Sequence, residues 1–199
     1  MKRLLTFICA VIAAVACSDE EDILPKQQEQ IRTYLTGSHS PRLIAADEVA
    51  ESLEDEPAFF DQTGNTAYRY IATWYDPNRQ TWAPVEPGDS IWITLSAYRF
   101  AGSAPNLDDL YYSNDPALED EVRNMGLTGD YWGFGQPLGI CVGKTPLVEG
   151  VSRMLHGCRE GDRVEIYMTY TMAYGERWMY NIEKESPIAW FFTIDKVKR

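Results

Sequence analysis

Residues 138–175 read LGICVGKTPLVEGVSRMLHGCREGDRVEIYMTYTMAYG, and this stretch decides the fold. Leu138 to Val142 is a short apolar run closed by the turn pair Gly143-Lys144. Thr145 and Pro146 then suit a helix N-cap and first helical position. Leu147, Val151, Met154, Leu155 and Cys158 recur at helical spacing, and Gly157 is placed to stop the helix. After Gly161-Asp162 the period drops to two. Val164, Ile166 and Met168 alternate with Glu165, Tyr167 and Thr169, which predicts a half-buried strand.

The same period recurs on both sides. Ile188, Trp190, Phe192 and Ile194 form one face of a closing strand. Upstream, Ile91, Ile93, Leu95 and Ala97 follow a turn at Pro84, Pro87, Gly88 and Asp89, and Tyr68, Tyr70, Ala72 and Trp74 make an earlier strand. Residues 98–136 are rich in Gly, Asn, Asp and aromatics and read as a long inserted loop with one helical patch, Ala117 to Met125. Strands far outnumber helices, so the class is α+β: an antiparallel sheet wrapped on one short helix. An N-terminal helical arm over 31–65 precedes the main domain at 66–199. A helix is expected from Gln27 to Leu35, leading into the arm, with Ile31, Tyr34 and Leu35 on one side. A second, amphipathic helix is expected over 46–60, where Asp47, Glu48, Glu51, Glu54, Asp55 and Glu56 surround Val49, Leu53, Phe59 and Phe60. Those carboxylates lack the spacing of a calcium loop.

The chain has 199 residues, 18 Lys+Arg against 30 Asp+Glu, and a formal charge of −12. Such a surface repels phosphate backbones, so nucleic acid is not an expected partner. Two histidines, with no CxxC or HExxH pair, give no expectation of a metal. No GxxxxGK[ST] or GxGxxG occurs, and no cofactor is expected. His39 and His156 read as solvent-facing or capping residues.

Lys2-Arg3 precedes Leu4 to Val15, an apolar stretch of 12 residues that makes a signal-peptide core too short to span a bilayer. Ala14-Val15-Ala16-Cys17 resembles a bacterial lipobox, with Ala14 where leucine is usual, and residues 1–16 are read as a lipoprotein signal peptide. A plain secretory signal is the other reading of the stretch. The acidic run Ser18-Asp19-Glu20-Glu21-Asp22 favours lipidation at Cys17, because it resembles the export signal of Bacteroidetes surface lipoproteins. Several acyl chains on one cysteine anchor stably. Residues 17–30 are then an acidic tether, and the protein is expected in the bacterial envelope, lipid-anchored to the outer membrane and facing the surface or periplasm. Losing Lys2 and Arg3 takes the basic count from 18 to 16 against 30 acids, so the charge becomes −14. In that oxidising compartment Cys141 and Cys158 admit two readings, a disulfide or two buried thiols.

Taken together, these stretches resemble the FKBP-type peptidyl-prolyl cis-trans isomerases. Leu138 to Lys144 corresponds to the family's strand and "LGK"-like turn, and Leu147-Val148-Glu149-Gly150-Val151 to its "xVIxGW" helix start. Gly161-Asp162-Arg163, Ala173-Tyr174-Gly175 and Ile188 to Ile194 follow the family's order and spacing. Glu86 to Ser90 with the strand after it matches the entry strand. The resemblance covers residues 66–199 and implies an isomerase or folding helper acting on X–Pro segments of envelope proteins. It also implies a pocket: Tyr174 from "AYG", Leu147 and Val148 from the helix start, Trp190 from the last strand, Ile182 from the loop before it, and Leu138 where the family has phenylalanine. Val151 stands where the family's floor tryptophan would be, Tyr111-Tyr112 where its "FD" pair would be, and Leu95 where its entry-strand tyrosine would be. Trp190 and Tyr174 also read as ordinary core aromatics at strand spacing. The substituted pocket leaves a second functional reading, an inactive FKBP-like binding module for a peptide, protein or glycan. The inserted aromatics Tyr111, Tyr112, Tyr131, Trp132 and Phe134 would then stack on the ligand. A lipoprotein with a purely structural role is a third.

Overall fold

The alternating runs pair into one sheet. Among the residues that the computed structural model describes (23–126, 132–179 and 181–199) it has eight strands. These are β1 (Ile44–Ala45), β2 (Phe59–Thr63), β3 (Ala67–Ile71), β4 (Ser90–Arg99), β5 (Leu110–Ser113), β6 (Leu138–Cys141), β7 (Arg163–Met168) and β8 (Ile188–Lys198). The order is β1-β2-β3-β7-β8-β4-β5, with β6 also on β4. Only the short β1–β2 pair is parallel. Three helices, α1 (Ile23–Thr33), α2 (Glu119–Asn124) and α3 (Glu149–Met154), complete an α+β architecture. The signal peptide, Cys17, the start of the tether and Tyr131 lie outside the described residues.

Strand alternation separates two cores, one on each face of the sheet. On the first, Ile91, Ile93 and Leu95 of β4, Val164 and Ile166 of β7, and Ile188, Phe192 and Ile194 of β8 pack with Val151, Met154 and Leu155 of α3. On the second, Tyr68 and Tyr70 of β3, Tyr167 of β7 and Ala189 of β8 pack with Ile31, Tyr34 and Leu35 of the arm. β3, expected to be half-buried, is therefore covered on both sides, and every one of its residues is buried. Tyr167, which reads as part of the outer face of its strand, joins Tyr68 and Tyr70 as the seat of the arm.

Several local expectations are corrected. α1 starts at Ile23 and passes into a single π-helical turn over Tyr34–Ser38, rather than running from Gln27 to Leu35. The amphipathic helix over 46–60 is only a 3₁₀ segment, Ala46–Glu51, with no buried residue. Its acids crowd one short stretch, and the apolar side chains needed for a stripe come too late, in β2. The inserted loop is partly strand. β5 pairs with β4 beyond the point where β6 does, so the two share one edge of β4. Asn114 joins them: its Oδ1 accepts from Leu95 N (2.6 Å), and its Nδ2 donates to Ile93 O and Gln136 O (3.0 Å each). The helical patch appears as α2.

α3 also starts later than Thr145-Pro146, with Val148 at its N-cap. The Thr145 hydroxyl instead accepts from Cys141 N at 2.9 Å. At the other end Arg69 of β3, paired with Asp61, donates to the carbonyls of Met154 (2.5 Å) and His156 (2.6 Å). A cation on the last carbonyls satisfies acceptors that the helix itself leaves open and suits its dipole. Gly150 completes the seating, since a Cβ there would run into the Met168 side chain of β7. Below it, Asp162 is wholly buried and accepts from Arg79 Nη2 (2.7 Å), Arg79 Nε (2.8 Å) and Arg159 N (2.8 Å), so this charge is fully partnered.

Candidate functional site

Pinned in this way, α3 turns its N-terminal end toward a cavity of about 1170 Å³. Leu138 comes from β6, Thr145 to Glu149 from the turn and start of α3, and Trp190 from β8. Tyr170, Thr171, Ala173 and Tyr174 follow β7, and Glu176, Arg177 and Met179 come from the loop leading to β8. Five residues singled out in the sequence thus meet on one cavity: Leu138, Leu147, Val148, Tyr174 and Trp190. Among the described residues the Val148 N–H makes no hydrogen bond. Pro146, Arg177 and Met179 were missed; they sit in irregular backbone or an isolated bridge, with no periodicity to expose them.

Three others take different places. Tyr111, on β5, is buried behind the cavity wall. Its hydroxyl accepts from Trp190 Nε1 at 2.6 Å and lies 3.1 Å from the Tyr174 hydroxyl, the two rings meeting edge to face. It therefore ties together the two aromatic walls. Burial, reinforced by Tyr174, holds the Tyr111 phenol well above its ordinary value, so it stays neutral. Val151 and Ile182 belong to the core, fully or almost fully buried. Ile182 exchanges backbone hydrogen bonds with Met179 (2.8 and 3.0 Å), so it anchors the loop. With valine in the helix, the indole of the cavity comes from β8. Trp132 and Phe134 stack on each other (5.7 Å between centroids) and are not among the lining residues.

Cys141 and Cys158 are free thiols. Cys158 is wholly buried, donates to Met154 O at 3.4 Å, and burial pushes its thiol up to about 11. His39, expected at the surface, is buried. Its Nδ1 lies 2.5 Å from Pro41 O and its Nε2 lies 2.9 Å from Glu165 Oε2, while His156 is exposed. Among the described residues, no three His, Cys, Asp or Glu side chains gather as a metal site.

The fold and cavity define an α+β domain with an open, partly aromatic cleft between a helix start and a strand end. Solved structures with a similar chain path include the N-terminal domain of FKBP42 from Arabidopsis thaliana, at TM-score 0.46 and 9% identity, covering 74% of this chain and 96% of that one. FkpA from Escherichia coli matches at 0.48 and 11%, covering 99% and 70%. The three FKBP domains of wheat FKBP73 match at 0.48 and 8%, covering 69% and 48%. No family model and no curated protein matches the chain.

Proposed function

We propose that the chain is an envelope lipoprotein whose FKBP-like domain seats X–Pro segments of envelope proteins and speeds their cis-trans isomerisation. The observation that carries this reading is the joint presence of Tyr174, Trp190, Leu147, Val148 and Leu138 on one open cavity. Prolyl isomerisation needs no nucleophile, general acid or metal. The barrier, ~20 kcal/mol, is rotation about an amide with partial double-bond character. A site lowers it by holding the twisted amide better than either planar isomer. Here the Trp190 indole and the Leu138 and Leu147 side chains offer the proline ring an apolar seat that sheds water. The Tyr174 hydroxyl and Val148 N–H stand at the same cavity to fix the peptide. Cys17 supplies the membrane anchor in this reading, and the acidic residues behind it keep the domain clear of the lipid.

Val151 favours a second reading. An indole on one wall replaces the floor that the helix would have supplied, a change worth ~2–3 kcal/mol of apolar contact. If turnover has been lost with it, the domain is a binding module for the same peptides. An exchange assay on a panel of X–Pro peptides separates the two, with Trp190→Ala as control. Acceleration that vanishes in Trp190→Ala supports the isomerase. Peptide binding without acceleration supports the module, and neither binding nor acceleration contradicts both. Detergent-phase partition of the full chain, lost in Cys17→Ser, tests the anchor.

A further inference from the structure

Among the described residues, the Gln27 side chain carries the arm helix to the cavity loop. Gln27 of α1 is only 7% exposed. Its Nε2 donates to the carbonyl of Glu185 at 2.7 Å, and its Oε1 accepts from the N–H of Tyr170 at 2.8 Å. The partners fix the orientation of the amide, because a carbonyl requires a donor and an N–H requires an acceptor. Tyr170 and Glu185 bracket the segment between β7 and β8 that carries Tyr174, Arg177 and Met179 to the cavity. Its described residues are irregular apart from a 3₁₀ turn at Tyr170–Met172 and the Met179–Ile182 bridge. Its far end closes when Glu185 N donates to Gly175 O at 2.8 Å, with Glu185 at φ +58°, a left-handed conformation that a non-glycine residue adopts only when its surroundings hold it.

The other end of the strut is fixed. Ile31, Tyr34 and Leu35 lie in the second core, and His39 pairs with Glu165 of β7 at 2.9 Å. A side-chain amide anchored on a packed helix holds two backbone points at a set separation. A solvent-exposed loop left to itself would open locally at little cost.

We propose that Gln27 is a positioning residue of the candidate site: the N-terminal arm acts as a strut that holds the 170–185 segment, and with it the Tyr174 wall, in the shape that receives a peptide. The arm is then part of the binding apparatus. This rests on the peptide-binding reading above for its functional consequence, but its structural half stands independently of it.

The test uses the full chain with two substitutions. Gln27→Met keeps the length and removes both hydrogen bonds. Gln27→Glu keeps an acceptor for Tyr170 N but loses the donor to Glu185 O. Amide exchange over residues 170–186 is followed by NMR, with the amides of β4 and β8 as an internal reference for global stability. In Gln27→Met, exchange at Tyr170 and Glu185 rises about tenfold while β4 and β8 stay as they are. In Gln27→Glu the rise is confined to the Glu185 end. For a Pro-containing peptide that the native chain binds, the dissociation constant rises several-fold in Gln27→Met. Unchanged exchange over 170–186, or an equal rise across β4 and β8, overturns the strut. Loosening of the loop in a chain whose native form binds no X–Pro peptide keeps the strut and overturns the peptide-binding reading instead.

Discussion

Tyr111 carries more of the candidate site than its position behind the cavity suggests. It presents one hydroxyl to two aromatic walls, and the Trp190 indole N–H is buried with it. Tyr111→Phe leaves the rings packed and strips that N–H of its acceptor, and a buried donor without a partner costs ~1–3 kcal/mol. Chemical denaturation should therefore show a loss of that size in Tyr111→Phe. Peptide affinity should fall as well, because the Tyr111 hydroxyl no longer holds the indole N–H. Unchanged stability would mean that the hydroxyl bridge contributes nothing. The sequence made Tyr111 a candidate by resemblance, but only the pairing of β5 with β4 shows that it backs the cavity. Val151 shows the opposite limit. Its helical spacing revealed its burial, and burial is all that it supplies.

At the scale of elements, the arm and α3 differ in how far the sequence reveals them. α3 and its flanking strands were legible because period, turn residues and Gly157 agree on one answer. The arm helix was legible too, with Ile31, Tyr34 and Leu35 on one side; its seat was not, because Tyr167 of β7 alternates with Val164, Ile166 and Met168 and reads as a wet face, yet lies in the second core. His39 marks the docking of the arm and makes it sensitive to pH. Both ring nitrogens face acceptors, Pro41 O and Glu165 Oε2, so the bound form is the imidazolium. Burial pulls His39 down, but the hydrogen bonds from Glu165 and Pro41 and the charge of Glu165 outweigh it, and the net value is raised. Tyr167 also donates to Glu165 at 2.6 Å, and Tyr34 and Tyr70 ring the imidazole. The folded state thus holds this proton more tightly than the unfolded chain. Its contribution is full below the unfolded value near 6.5 and is lost as pH rises through the native one. In urea titrations across pH, the stability gap between the native chain and His39→Gln should be widest in acid and shrink above about pH 6.5. A gap that widens toward alkaline pH would contradict the imidazolium assignment.

At the scale of the whole molecule, one sheet serves two purposes. Its first face builds the core beneath the cavity, and its second receives an arm that reaches around to the cavity loop through Gln27. A site assembled from β6, α3, β8, the loop before β8 and a brace outside the domain is held from several directions, as preorganised recognition requires. The most direct test of the central claim is a titration of the isotope-labelled protein with a short X–Pro peptide, following the Trp190 indole N–H and the Val148 and Tyr174 backbone amides. If the cavity seats prolyl peptides, these three signals move together to saturation, and the Trp190 indole signal of Tyr111→Phe responds more weakly. Shifts that cluster on another surface, or none at high peptide concentration, would contradict it.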